Sequence, residues 1–214
     1  MKIFTKFIKV LATLGLFSSC AFALTDGIEY KVLERPLSVG DNTLTKVFSY
    51  ACSHCYKFDK GVTQKVMSKL DGVKFIPYHL KSKGEFGETV SGILASMISL
   101  DEEKNIGYFD DKSLFKRAKF AIYRSYHDKN DQFNDKNEYI NKILKDAKVN
   151  RSDYENALKS ARAQEILAGW DDSYSVAVLS GVPAFVVNGK YLINLDAAYS
   201  IDKLIEIIKE LLGK

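Results

Sequence analysis

Cysteine is scarce in this chain: three residues in 214, at Cys20, Cys52 and Cys55. With no second cysteine pair, a four-thiolate structural zinc site is excluded. A zinc site built from Cys52, Cys55, His79 and His127 would need ligands far apart in sequence to converge, and no metal is expected. Tyr56, not histidine, follows the second cysteine of the close pair, which excludes covalent c-type haem attachment. Internal repeats and low-complexity tracts are also lacking, so fibrous and solenoid classes fall away. Beyond the first two dozen residues no apolar run is long enough to cross a bilayer. The 46% hydrophobic and 27% charged residues suit one globular domain, or one domain carrying an insertion.

The N-terminus is unlike the rest. "MKIFTKFIK" carries Lys2, Lys6 and Lys9, "VLATLGLF" is a short apolar run, and "AFA" ends at Ala23. That three-part pattern predicts a secretory leader over residues 1–23, cleaved after Ala23. A membrane anchor and a lipoprotein cut before Cys20 are the alternatives. The apolar run is short for an anchor, and Phe17 stands where lipoprotein sites usually carry leucine. Cleavage leaves 191 residues and, by removing three lysines and no acids, lowers the formal charge from +4 to +1. The basic balance is therefore mostly leader, and charge gives no support to nucleic-acid binding. Cys20 departs too, so Cys52 and Cys55 are expected alone in an oxidising, exported setting.

Hydrophobic periodicity divides the remainder into three parts. "LTKVFSY" (Leu44 to Tyr50) reads as a buried strand, and Cys55, Phe58, Val62, Val66 and Leu70 then recur at helical spacing. Gly61 should weaken that helix or let it bend, and Asp71-Gly72 stops it. "VKFIPYHL" (Val73 to Leu80) returns to strand character, so the order fits a parallel βαβ unit. Between about residues 85 and 178 only helical faces are found. They are built on Val90 to Ile98, Leu114 to Ile122, Tyr139 to Leu144 and Tyr154 to Ala161, continuing from Ile166 to Ala177. "PAFVVNGKYLIN" has two β-rich runs around Asn188-Gly189 and predicts a hairpin. An amphipathic helix follows from Ser200, with Asp202 early and Lys209 late.

A Cys-x-x-Cys at a strand-to-helix junction puts its first cysteine at the helix N-terminus. There unpaired N–H groups and the dipole favour a thiolate. A bridge across so short a loop gains little from chain entropy, which argues against a purely structural disulfide. Stabilising the thiolate stabilises the reduced form, so a lower thiol pKa makes the disulfide a stronger oxidant. His54, between the cysteines with Ser53, is read as a cation or dipole beside Cys52, against the alternative of an idle exposed side chain. His79 and His127 are read as structural. "GVPAF" sets Pro183 just before a strand and leaves a cis or a trans Val182–Pro183 bond equally open. A cis bond beside the sulfurs would present the Val182 backbone to an extended peptide.

"FSYACSHCYKFD" and "GVPAFVVNGKY", separated by a helical block, together resemble the DsbA family of periplasmic thiol:disulfide oxidoreductases. The likeness runs from "GIEYKVLERPL" to the last helix. It implies an α/β thioredoxin fold, over residues 24–82 and 166–214, interrupted by an all-helical domain at 83–165. It implies Cys52 as the sulfur linked to substrate, Cys55 as the resolving sulfur, Ser53 and His54 as tuners, and Val182 and Pro183 as the cis-proline loop. Reduced exported proteins would be the substrates and a quinone-linked membrane protein of the DsbB type the reoxidant, with no cofactor beyond the cysteine pair and a monomeric enzyme. Three positions depart from the pattern. Ser53 replaces a usual proline, Lys46 stands where the family carries a buried glutamate, and Pro77 replaces a lysine; Asp59 retains an acid just after the motif. A lysine facing the sulfurs would favour the thiolate where an acid opposes it. A reductase or isomerase on the same fold, and a peptide-binding or chaperone module with an incidental cysteine pair, are the alternatives.

Overall fold

The computed structural model describes residues 24–214; the expected leader, with Cys20, lies outside them. Strands β1 (Tyr30–Val32), β2 (Thr43–Phe48), β3 (Lys74–His79), β4 (Ala184–Val187) and β5 (Tyr191–Ile193) form one sheet in the order β1-β5-β4-β2-β3. β2 runs parallel to β3 and antiparallel to β4, as the βαβ reading requires. β1 was not anticipated; three residues are too few to show alternation.

Both faces of the sheet are covered, which explains why β2 is buried along its whole length and reads as near-continuous apolar sequence. Side chains alternate between two cores. Leu44, Phe185 and Val187 pack with Val66, Leu204, Ile207 and Leu211. Val47, Ala184 and Val186 pack with the helical block through Val90, Ile93, Leu94 and Ile122. Pro77 sits on the edge strand β3, where no further ladder bond is needed, and its carbonyl accepts from Trp170 Nε1 at 2.7 Å.

After β2 the helix breaks where Gly61 suggests, giving α1 (Ser53–Gly61) and α2 (Thr63–Met67). The block between β3 and β4 contains α3 (Gly87–Glu103), α4 (Leu114–Tyr123), α5 (Lys136–Ala147), α6 (Arg151–Leu158), α7 (Ala161–Gly169) and α8 (Ser173–Ser180). α3 is its buried centre, and Asp101 at its end accepts from the N–H groups of Leu114 and Phe115 and from Ser113 Oγ, at 2.7–2.9 Å, anchoring the start of α4. The apolar face read from Tyr154 to Ala161 belongs to two helices: Ser160 caps α7 by accepting from Ala163 N–H, and Ala161 lies beyond the break. The 165/166 boundary falls inside α7. The expected apolar face at Tyr174 and Ala177 is also corrected: α8 buries Ser173 and Val176, and Tyr174 points to solvent at 61% exposure.

The hairpin forms at Asn188-Gly189, where both residues adopt positive φ. A Cβ at Gly189 would stand 2.4 Å from the Leu37 carbonyl, so glycine is required twice over. α9 (Ile201–Leu212) follows, with Ser200 accepting from Lys203 N–H.

Candidate active site

β2 ends at Phe48, and the chain turns through Ser49–Ala51 into α1. Cys52 occupies the cap position, where its Sγ accepts from Cys55 N–H at 3.2 Å. The sequence expectation of a sulfur at the helix N-terminus is met by that bond. From the other side, Cys52 Sγ lies 3.2 Å from the Val182 carbonyl, to which the thiol donates. The Val182–Pro183 bond is cis, and Gly181 before it has φ +71°, a conformation that suits glycine. The two motifs, 130 residues apart, thus meet at one sulfur.

The two sulfurs differ sharply in environment. The Cys52 thiol is lowered to about 6, first by a hydrogen bond from the Cys55 thiol. Partial burial opposes the shift; the N–H groups of Cys55 and His54 and the charge of Lys83 reinforce it. At neutral pH Cys52 is therefore mostly thiolate. Cys55 is fully buried, and loss of solvent pushes its thiol far up; the bond it gives to Cys52 pushes the same way, and the nearby Lys46 opposes.

Ser53 and His54 are exposed on the first turn of α1. His54 reaches Cys52 through its backbone N–H. Lys83, which lowers the Cys52 thiol through its charge, went unnoticed in the sequence because thirty residues separate it from the motif. Lys46 does point inward. It is 1% exposed and donates to Asp59 Oδ1 at 2.7 Å and to Thr63 Oγ1 at 3.0 Å. Lys119 of α4, equally unnoticed, approaches the same Asp59 oxygen at 3.2 Å, and Tyr123 donates to Oδ2 at 3.0 Å. Burial resists ionisation of Asp59, but the fields of Lys119 and Lys46, with the bonds from Lys46 and Tyr123, hold its carboxyl down at about 2.

The helical block closes the site from above. α4 widens into a π-helical turn at Arg124–Lys129. Tyr56 stacks on both Tyr123 (4.8 Å between centroids) and His127 (5.5 Å), which are 6.0 Å from each other, and donates to Asp128 Oδ2 at 2.7 Å. His127 Nε2 donates to the Tyr50 carbonyl at 2.8 Å, tying the block to the loop that enters the motif. His79 is fully buried; its Nε2 accepts from Tyr50 N–H, leaving Nδ1 to donate to Ser91 Oγ at 2.7 Å.

A thiolate-prone sulfur at a helix N-terminus, a buried partner sulfur one turn on, and a cis-proline loop against them define a dithiol–disulfide oxidoreductase of the thioredoxin class. A family profile described as DSBA-like thioredoxin domain matches residues 103–209. The thiol:disulfide interchange protein DsbL of Escherichia coli O6:H1 is 46% identical over 210 residues, covering 96% of this chain and 95% of that one. The thiol:disulfide interchange protein DsbA of Salmonella typhimurium is 31% identical, over 83% and 80% of the two chains. Among solved structures, DsbL of Salmonella enterica serovar Typhimurium superposes with a TM-score of 0.87 at 47% identity, covering 91% of this chain and all of that one. The chain belongs to the DsbA family: a thioredoxin fold interrupted by helices, and a thiol:disulfide oxidoreductase.

Proposed function

We propose that this enzyme runs as a periplasmic dithiol oxidase, exported by the leader at residues 1–23 and donating a Cys52–Cys55 disulfide to reduced exported proteins. A substrate thiolate attacks Cys52, the S–S bond to Cys55 breaks, and a mixed disulfide forms at Cys52. A second substrate thiolate then attacks the substrate's own sulfur in that bond and releases Cys52 as a thiolate. The single observation that carries the direction is the contrast between the sulfurs: Cys52 lowered to about 6 at the helix N-terminus, Cys55 wholly buried and raised. A couple whose reduced form holds a stable thiolate gives its disulfide away readily.

Val182 and Pro183 form the substrate-facing loop in this reading. The Val182 carbonyl sits at the sulfur, and Pro183 lines a cleft of about 350 Å³ with Leu179, Leu192 and Leu195, a place for the residues flanking a substrate cysteine. Ser53 and His54, on the exposed turn, set the local field together with Lys83, and Lys46 with Asp59 acts from behind Cys55. The cysteine pair is the redox group, and no other cofactor is needed. Among the described residues no helix is long and apolar enough to cross a membrane. In this reading a quinone-linked membrane protein of the DsbB type reoxidises the pair.

Cys55→Ser tests the reading, because it removes the sulfur that resolves a mixed disulfide. Its lone Cys52 thiolate should attack disulfides of oxidised exported proteins, the reverse of the donating step, and with no Cys55 to release them the proteins should be recovered as adducts that reductant dissolves. Recovery of none would overturn the oxidase reading. Peptide binding that survives loss of both cysteines, with no thiol oxidation by the wild type, would instead favour a chaperone module.

A further inference from the structure

Two lysines and one carboxylate share a pocket sealed from water behind Cys55. Lys46 comes from β2, Asp59 from α1 and Lys119 from α4, each under 10% exposed. This is a poor arrangement for stability alone. A second buried ammonium adds desolvation and repels Lys46, while Asp59 can neutralise only one of them. Three aromatic rings accommodate the extra charge: Lys119 Nζ lies 5.8, 5.0 and 5.6 Å from the centroids of Phe48, Phe115 and Phe120. The site is therefore built to hold a cation that Asp59 does not cancel.

We infer that Lys119, delivered by the inserted helices, is a positioning residue for the disulfide exchange. By sharing Asp59 with Lys46 it leaves one net positive charge behind Cys55, which stabilises the Cys55 thiolate as it departs. This rests on Cys52 being the sulfur attacked. In that step a bond forms between the substrate sulfur and Cys52 and the Cys52–Cys55 bond breaks. Its electron pair resides on Cys55, which then takes up a proton equal to the one the substrate thiol gave to solvent. The substrate sulfur is oxidised and Cys55 reduced, so negative charge develops on Cys55 in the transition state, within the field of Lys46, whose carboxylate partner Lys119 shares. The groups facing the cluster are Lys46 on β2, Cys55, Tyr56 and Asp59 on α1, Thr63 on α2, and Lys116 and Tyr123 on α4. Burial lowers the Lys119 ammonium from its usual value, and Asp59 opposes that.

The test is the reaction of the oxidised full-length mature protein with reduced glutathione, followed by stopped flow and at equilibrium. Lys119→Met should slow the first exchange about tenfold and leave the glutathione equilibrium, which ends on a neutral Cys55 thiol, nearly unmoved. Lys119→Arg should restore the rate. An unchanged rate in a folded Lys119→Met protein would overturn the inference even where its melting temperature moves. The wild type gives a second, independent reading should Lys119→Met not fold. Its rate per glutathione thiolate should fall with rising pH below the ordinary lysine value of 10.5, as the buried ammonium is lost, and a flat profile would contradict the proposal. Failure of the oxidase reading looks different: a wild-type couple poised like a reductase, whatever Lys119 does.

Discussion

The front and the back of the cysteine pair are built from opposite materials. In front, Cys52 meets an exposed turn with Ser53 and His54, the charge of the exposed Lys83 and the Val182 carbonyl. Behind, Cys55 meets a sealed pocket of Lys46, Asp59, Lys119 and Tyr123 in which two lysines share one carboxylate. Charges in water are screened within about 10 Å at 0.1 M salt, and buried ones much less. The front can therefore be altered residue by residue at small cost, and the back only as a unit. The one acid of that pocket, Asp59, is held between two buried cations, Lys46 and Lys119.

The largest expected effect follows from breaking the back. Asp59→Ala leaves two buried ammonium groups without a counterion and should cost about 3–5 kcal/mol of stability, measured by urea unfolding at neutral pH. A loss below 1 kcal/mol would show that the pocket is wet. Acid should act on the same region. Asp59 is depressed in the fold, so its contribution is present above the ordinary carboxylate value near 4 and is lost as pH falls toward about 2. His79, held down at about 3 by burial, contributes fully above 6.5 and loses that contribution as pH falls from 6.5 to 3. Unfolding free energies at pH 7, 5 and 3 should fall through both windows, and His79→Gln should flatten the upper one.

The smallest effects belong to the front. Lys83→Gln should raise the Cys52 thiol by a few tenths of a pH unit at low salt, read from thiolate absorbance. In 1 M salt the difference from wild type should vanish, whereas the slower glutathione exchange of Lys119→Met should persist. Equal salt sensitivity of the two variants would erase the contrast between the faces. His54→Ala retains the backbone N–H that faces Cys52 and should move the thiol less than a loss of that N–H would; a shift of more than one unit would assign the imbalance to the imidazole ring.

Much of this architecture was legible before any coordinates. The strand–helix–strand start, the hairpin at Asn188-Gly189 and the helical block follow from periodicities that local sequence carries. The pairing of Cys52 with the Val182–Pro183 loop was suggested by two motifs together, since neither alone shows contact. Lys119 and Lys83 were hidden for a physical reason. A lysine on an amphipathic helix or in a loop looks solvated in one dimension, and only packing against Asp59 or Cys52 gives it a role. The breaks at Ser160 and along α8 were hidden because apolar spacing runs on across helix ends, while caps and exposure decide where each helix stops.

The most direct measurement is the equilibrium of the Cys52–Cys55 couple with reduced and oxidised glutathione in the full-length mature protein. A disulfide donor with a Cys52 thiol near 6 should be clearly more oxidising than the isomerase range of about −180 mV. A potential near the −270 mV typical of thioredoxin would contradict that and make the enzyme a reductase.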